Sequence, residues 1–164
     1  MDILIIMGSK SDIDYGREVV KILKEFGVDY KIEVSSAHRT PKRTIELVRD
    51  AEEKGCKVII SIAGAAAHLG GIIAAHTLLP VIAIPVDSSP LNGIDALLSS
   101  VMMPPGVPVG CMAIGKMGAK NGAIFAIEIL SIYNESLKEK LKNYRKEMAE
   151  GVLNSSKVVK EELE

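Results

Sequence analysis

A long stretch without any charged side chain limits the fold of this chain more than any other feature. From Val58 to Val86 there is no Asp, Glu, Lys or Arg. A stretch of about 20 apolar residues is enough to span a bilayer, but this one contains two histidines and several glycines and prolines. They divide it into two short apolar runs separated by small residues. Parallel strands that are covered on both faces have such continuous apolar runs. The stretch therefore predicts two buried strands and no membrane span.

Five short β-type runs recur along the chain and alternate with helical patterns. They are DILIIM at 2–7, YKIEVS at 30–35, KVIISI at 57–62, PVIAIP at 80–85 and PVGCMAI at 108–114. Strands that alternate with helices predict a parallel sheet with right-handed crossovers and helices on both faces. We therefore expect a three-layer α/β/α sandwich of the flavodoxin-like kind, with five strands in the order 2-1-3-4-5.

Caps and glycines mark the helices between these runs. The predicted helices cover 12–26, 41–54, 68–77, 93–102 and 119–133. Ser11 is a suitable N-cap for the first helix, and Gly27 follows its end. The second helix begins with Pro41 in its first turn, after Thr40 as its cap.

The length of the chain predicts one domain with a helical tail. Its 164 residues, 48% of them hydrophobic, suffice for one substantial core but not for two ordinary ones. We expect the sandwich in 1–133 and a charged helix in 134–164. In that tail Leu137, Leu141 and Tyr144 fall on one side at helical spacing. This narrow apolar seam suits packing on the chain's own core or on a neighbouring subunit, and the sequence favours neither.

Charge and cysteine usage exclude several classes of function. The formal charge of -1 comes from 20 basic and 21 acidic residues, which argues against nucleic acid or an anionic membrane as a partner. The two cysteines, Cys56 and Cys111, lack the spacing of a disulfide framework or a zinc site. The three histidines also lack metal-binding spacing, so no metal is expected. The N-terminus MDILIIMGSK has no basic n-region, which predicts a cytoplasmic protein.

The loops that follow the strands are where a site is expected, because open parallel sheets bind ligands beyond the carboxyl ends of their strands. These loops are GSKSD at 8–12, SSAHRTP at 35–41, AGAAAHLGG at 63–71, VDSSPLNG at 86–93 and GKMGAKN at 115–121. They contain neither the glycine motif of dinucleotide sites nor that of triphosphate sites. The loops favour acid–base chemistry on a small phosphorylated ligand, without a cofactor.

The first two loops together suit a sugar phosphate. Ser9 and Ser11 offer hydroxyls at the start of a helix, whose dipole favours an anion. Asp12 would repel a phosphate but suits a sugar hydroxyl, so the pair of contacts fits a ribose 5-phosphate. Arg39 can supply a bidentate charge for the same phosphate. The alternative is that Ser11 and Asp12 only cap the helix.

Two of the three histidines lie in these loops. His38, beside Arg39, can give and take protons near neutral pH. The small side chains of AGAAAHLGG leave backbone amides accessible to a flat ligand. In that loop His68 could donate to a substrate carboxylate or cap the third helix, while His76 is expected to be structural.

Taken together, the loops resemble the signature segments of the class I N5-carboxyaminoimidazole ribonucleotide mutases of purine biosynthesis. The segments are MGSKSD, SAHRTP, AGAAAHL, LNGIDALLS with MPPGVPVG, and AIGKMGAKNGA, in order between about residues 3 and 133. The resemblance implies a cytoplasmic enzyme with the flavodoxin-like sandwich that moves a carboxyl group from N5 to C4 of the nucleotide. It also implies a homo-octamer with sites between subunits and no metal or cofactor.

The same resemblance implies roles for individual residues. His38 matches the general acid and base, which protonates the departing nitrogen and later removes the C4 proton. Ser9, Ser11 and Arg39 match the phosphate contacts, and Asp12 matches the ribose contact. The residues that match the loops around the ring and the carboxylate are Ser36, Gly64, Ala66, Ala67, His68 and Leu69.

Three other functions compete with this one. Class II enzymes carboxylate aminoimidazole ribonucleotide directly with carbon dioxide and resemble SAHKT and AGRSN in these loops, whereas this chain has Arg39 and AGAAAHL. A nucleotide-binding module without chemistry would not need a histidine beside the arginine. Carboxylases of nicotinate-type nucleotides resemble this chain only in a C-terminal portion and are longer.

Four positions depart from the class I pattern. Gly70 stands where proline is usual, Ala65 where glycine is common, Asp87 where glutamine is common and Met117 where alanine is common. Gly70 is expected to loosen the loop that covers the substrate carboxylate.

Overall fold

A computed structural model describes residues 1–163 of the chain. Five strands form one sheet in the order β2-β1-β3-β4-β5, and all four pairs of neighbouring strands are parallel. The strands are β1 Ile3–Met7, β2 Tyr30–Val34, β3 Val58–Gly64, β4 Val81–Val86 and β5 Gly110–Cys111. The predicted strand order and parallel sheet are confirmed.

The helices lie on both faces of this sheet. After a 3-10 turn at Lys10–Asp12, the helices are α1 Ile13–Phe26, α2 Pro41–Glu53, α3 Leu69–Ala74, α4 Ile94–Val101, α5 Lys116–Ser131 and α6 Glu135–Leu163. Alternate residues of β1 face the two layers. Ile3 and Ile5 pack in the core beneath α1 and α5, whereas Leu4 and Ile6 pack in the core beneath α2 and α3. Continuous apolar runs are therefore required in the inner strands, as the sequence indicated.

The differences between the sequence-based boundaries and the structure that affect the fold most lie in four places. β5 covers two residues, not the predicted 108–114, because only Gly110 and Cys111 pair with β4. α3 is shorter than the predicted 68–77, and α5 begins at Lys116 instead of residue 119. Ser11 is not the N-cap of α1, because the 3-10 turn precedes this helix and places Asp12 in the N-cap position.

The tail forms one helix, α6, whose first half contacts the chain's own sandwich. Leu137 and Leu141 are buried in the core with α1 and α5. The rings of Phe26 and Tyr144 meet edge to face at 5.6 Å, and Lys140 Nζ donates to the Phe26 carbonyl at 2.7 Å. From Ala149 onward the side chains that the structure describes are exposed. The second half of α6 therefore projects beyond the sandwich.

The state of the two cysteines and the character of the helices concern the disulfides and membrane spans considered in the sequence. Cys56 and Cys111 are free thiols, and burial raises the pKa of both. None of the helices within residues 1–163 is long and apolar enough to cross a membrane.

Candidate active site

The loops that follow β1, β2, β3 and β4 enclose a cavity of about 360 Å³ at the carboxyl edge of the sheet. Its walls include nine of the eleven residues that the sequence predicted. These are Ser9, Ser11, Asp12, Ser36, His38, Arg39, Gly64, Ala66 and Leu69. The parallel order of the strands brings these loops together, because all their carboxyl ends lie on one edge.

The loop after β1 forms a hydrogen-bonded turn around Asp12. The Ser9 N–H donates to Asp12 Oδ2 at 3.0 Å, and the Ser11 hydroxyl donates to Oδ1 at 3.3 Å. In return the Ser9 hydroxyl accepts the Ser11 N–H at 3.3 Å, which caps the 3-10 turn. Asp12 is almost fully buried, and this burial raises its pKa although both serines favour the carboxylate. The turn therefore holds two serines and one carboxyl group at the cavity wall.

The loop after β2 directs Arg39 toward the loop after β1. The backbone N–H and Nε of Arg39 donate to the Ser36 hydroxyl at 3.2 and 3.4 Å, and its Nη2 donates to the Gly8 carbonyl at 3.4 Å. Thr40 closes the loop, since its hydroxyl accepts the Ser36 N–H at 3.0 Å. Its side chain makes no cap hydrogen bond to α2. Ser36 thus orients the only cationic side chain, other than the histidine, among the described residues that line this cavity.

His38 and His68 form a pair across two loops. His38 Nε2 lies 3.0 Å from His68 Nδ1, and the rings meet edge to face at an interplanar angle of 84°. One proton is shared in such a bond, with the donor set by the tautomers. His68 occupies the N-cap position of α3, but its side chain makes no cap hydrogen bond. His68 is not part of the cavity lining and reaches the site through His38. His76 lies apart, with Nδ1 2.8 Å from the Ile72 carbonyl oxygen.

The loop after β3 forms a wall of small residues, Gly64, Ala65 and Ala66, which we call the small wall. Gly64, Ala65 and Ala66 line the cavity, and Ala65 has a φ of 52°, which glycine adopts more easily than alanine. Ala67 is buried outside the lining, and its N–H donates to Ser99 Oγ of α4 at 2.9 Å. Of the predicted residues, only Ala67 and His68 lie outside the lining. Gly70 is packed tightly, since a Cβ there would lie 2.9 Å from Ser61 Oγ.

Five lining residues were not among those predicted. They are Gly8, Ala37, Ala63, Ala65 and Ser88. Ser88 is the one with a side-chain hydrogen-bonding group. The sequence placed its loop, 86–93, at the correct edge, but nothing in VDSSPLNG distinguished Ser88 from the neighbouring Ser89.

Two ionisable side chains, Tyr15 and Asp87, are not among the residues that line the cavity. The Tyr15 hydroxyl of α1 donates to the Asp87 carboxylate in the loop after β4. This hydrogen bond raises the pKa of Tyr15 to about 12 and lowers the pKa of Asp87. Residues 1–163 contain no group of three or more His, Cys, Asp or Glu side chains that could hold a metal ion.

Comparisons with known proteins agree on one family. A family model described as AIR carboxylase matches residues 2–151. The N5-carboxyaminoimidazole ribonucleotide mutase of Pyrococcus abyssi is 56% identical over 144 residues, which are 88% of this chain and 82% of that protein. The Escherichia coli protein of the same name is 47% identical over 154 residues, 92% of this chain and 89% of its own. The crystal structure of Treponema denticola PurE has a TM-score of 0.87 and 29% identity, and the match covers 94% of this chain and 96% of that one.

Proposed function

The chain belongs to the AIR carboxylase family, and we propose that it is an N5-carboxyaminoimidazole ribonucleotide mutase of purine biosynthesis. Relatives with that name include the Saccharolobus solfataricus protein, where 51% identity extends over 93% of this chain and 96% of that protein. The single observation that carries the proposal is the position of His38. The His38 side chain, which can transfer protons, lines the same cavity as Arg39, whose guanidinium can bind a phosphate.

The phosphate of the substrate binds at the turn after β1. Ser9 and Ser11 offer hydroxyls there, and Arg39 brings a guanidinium within 3.4 Å of the Gly8 carbonyl in the same turn. A planar guanidinium can bind two phosphate oxygens at once. Asp12 binds the ribose, because a buried carboxyl group is better suited to a hydroxyl than to an anion. With the phosphate and the ribose bound in this way, the imidazole ring of the substrate lies against Gly64 and Ala66 of the small wall.

The reaction is an isomerisation that needs one proton-transferring group. The N5–carboxyl bond breaks and releases carbon dioxide while His38 gives its proton to N5. The nucleophilic C4 then forms a bond to the same carbon dioxide, and His38 removes the C4 proton. His38 takes back one proton for the one that it gives, so the reaction has no net change in protons. It therefore requires neither ATP nor a redox partner. His68 orients the His38 ring, since it lies 3.0 Å from Nε2.

Carbon dioxide has to stay in the cavity between the two bond changes. It is small and uncharged, so no ion pair can hold it. The alanine methyl groups and the glycine backbone of the loop after β3 bring the wall close to the ring and leave little room for water. Leu69, which is 2% exposed, closes the wall from the first turn of α3. The walls therefore matter to catalysis although they carry no reactive group.

We also propose that the enzyme works as a cytoplasmic homo-oligomer, an octamer by the family resemblance. The outer face of α4 has apolar side chains that are about half exposed, namely Ile94, Leu98 and Val101. Apolar patches of this kind commonly mark subunit interfaces. Ser99 of the same helix bonds to the Ala67 N–H, so a subunit seated on α4 would lie beside the small wall of the site.

Direct carboxylation is the second candidate, because the family model is described as AIR carboxylase. An assay with purified protein separates the two. The mutase converts N5-carboxyaminoimidazole ribonucleotide without ATP, metal or added bicarbonate. A direct carboxylase would act on unmodified aminoimidazole ribonucleotide at a rate that rises with dissolved carbon dioxide. Ligand-induced thermal stabilisation without any product would instead indicate a binding module.

A further inference from the structure

Ser88 faces the cavity from the loop after β4, as the fourth strand's contribution to the site. Its neighbours on both sides are fixed by side-chain hydrogen bonds. Asp87 accepts the Tyr15 hydroxyl of α1, and the Ser89 hydroxyl donates to Asp95 of α4 at 2.8 Å. Within residues 1–163 the Ser88 side chain itself makes no hydrogen bond. The loop is therefore anchored on each side of a hydroxyl that remains free to bind a ligand.

Gly64 provides the space into which this hydroxyl projects. The two residues lie at the ends of neighbouring strands, where Gly64 pairs with Val86. A Cβ on Gly64 would lie 1.9 Å from Ser88 Oγ and 2.8 Å from Val86 Cγ2. The hydroxyl thus occupies the volume that any larger residue at 64 would need. A free hydroxyl on a solvent-facing loop would not depend on such a gap.

The sheet order places Ser88 away from the phosphate end of the cavity. Ser9 and Ser11 follow β1, and β3 separates β1 from β4. Neighbouring strands lie about 4.8 Å apart, so the ends of β1 and β4 are roughly 10 Å apart. The ribose of a nucleotide bridges a distance of this size between its phosphate and its base. Ser88 therefore lies where the base would be when the phosphate is at Ser9 and Arg39.

We propose that Ser88 is a further substrate-binding residue, whose hydroxyl hydrogen-bonds to the imidazole end of the nucleotide, and that the Tyr15–Asp87 hydrogen bond positions it. The inference rests on the proposed function, because it needs an aminoimidazole ribonucleotide in the cavity. Tyr15 touches no substrate and acts through the backbone of Asp87. The pair joins α1 to the loop, so it limits how far Ser88 can move from the base.

Binding measurements with two ligands test the contact. Calorimetric titration would use 4-carboxy-5-aminoimidazole ribonucleotide and ribose 5-phosphate on the wild type and on Ser88→Ala. A single neutral hydrogen bond predicts a loss of roughly threefold to tenfold in affinity for the nucleotide, with affinity for ribose 5-phosphate unchanged. Ser156→Ala, on the exposed part of α6, is the matched control and should change neither. Unchanged nucleotide affinity in Ser88→Ala, or an equal loss for both ligands, overturns the contact.

A double-mutant cycle tests the role of Tyr15. Tyr15→Phe should raise KM for the nucleotide with kcat unchanged, because an interaction made equally in the ground and transition states is lost. The double variant Tyr15→Phe with Ser88→Ala should have the same KM for the nucleotide as Ser88→Ala alone. Two independent structural effects would instead multiply their increases in KM. Tyr133→Phe, at a side chain that is 96% exposed, is the control.

The outcomes separate this inference from the proposed function. Multiplying effects in the cycle overturn the positioning role of Tyr15. A wild-type protein that turns over the nucleotide, with Ser88→Ala identical to it, overturns the inference alone. A wild-type protein that neither binds nor converts the nucleotide overturns both.

Discussion

His38 Nε2 lies 3.0 Å from His68 Nδ1, although 30 residues separate them in the chain. The two rings come from loops after different strands and meet edge to face, and His38 lines the cavity. Such a contact suits a residue that orients a general base, which is the role proposed for His68. In that role His68 positions His38 and does not itself react.

Removing the His68 nitrogens tests this relationship. His68→Phe keeps an aromatic ring at the site but removes the hydrogen bond, so kcat should fall roughly tenfold or more through misplacement of His38. KM should change little, because the phosphate contacts are untouched. Steady-state kinetics measures both, with His76→Phe as a control of unchanged kcat. A change in KM alone would contradict the positioning role.

Exchanging Arg39 for lysine tests the phosphate site. Lysine keeps the charge but loses the planar fork that Ser36 orients, so KM should rise roughly tenfold or more with little change in kcat. Arg145→Lys is the matched control, since Arg145 of α6 pairs with Glu128 at 2.5 Å and does not line the cavity. A KM of Arg39→Lys equal to that of wild type would show that the phosphate does not bind at Arg39.

The predictability of the fold depended on how well each strand is buried. β1, β3 and β4 lie inside the sheet and read as continuous apolar runs, so the sequence identified them as strands buried on both faces. Their parallel direction followed from the alternation of strands with helices, and their order from a five-stranded flavodoxin-like sheet. β5 is an edge strand that pairs on one side with β4 through two residues only. Its apolar run of seven was not a measure of its length, because beyond Cys111 only single backbone hydrogen bonds from the N–H groups of Met112 and Gly115 reach β4. The 3-10 turn before α1 was missed since Ser9, not Ser11, forms the cap.

The predictability of the site stopped where contacts between loops begin. The prediction that His38 and Arg39 belong to the site rests on a titratable histidine beside a cationic arginine in the loop after a strand, and both residues line the cavity. The sequence allows two roles for His68, and only the folded structure shows its contact with His38. Ser88 had no feature in the sequence that set it apart. Its importance depends on the absence of a side chain at Gly64, on a different strand.

Replacing Asp12 by asparagine should stabilise the protein and impair binding. Burial raises the pKa of Asp12 above its ordinary value of 3.8, so the folded state binds more protons than the unfolded state between those two pKa values. The stability that Asp12 contributes is therefore present at low pH and lost as pH rises through the folded pKa. Asp12→Asn stays neutral, and its Oδ1 can still accept the Ser9 N–H.

The melting temperature of Asp12→Asn relative to wild type should therefore rise as pH increases from about 4 to 7, while affinity for ribose 5-phosphate falls roughly tenfold. Thermal denaturation at several pH values measures the first effect. Asp14→Asn, at an exposed surface pair with Arg17, should show no such trend. A relative stability of Asp12→Asn that is independent of pH would contradict this account of the buried carboxyl group.

A methyl group at Gly64 should disable the site. Gly64→Ala places its Cβ against the Ser88 hydroxyl and Val86, so the loop after β4 has to move and KM for the nucleotide should rise. Gly151→Ala is the opposite case, because a Cβ there meets nothing within 4 Å in an exposed helix. It should stabilise the protein by about 0.5–1 kcal/mol without changing KM. Equal KM values for Gly64→Ala and wild type would show that the loop tolerates the displacement.

The most direct measurement of the central claim compares wild type with His38→Asn under single-turnover conditions, with N5-carboxyaminoimidazole ribonucleotide as substrate and product followed by mass spectrometry. Asparagine keeps a polar group of similar reach but cannot transfer protons near neutral pH. The account predicts that His38→Asn binds 4-carboxy-5-aminoimidazole ribonucleotide with wild-type affinity within a few fold and forms no 4-carboxy product. A His38→Asn protein that forms product at the wild-type rate would contradict it.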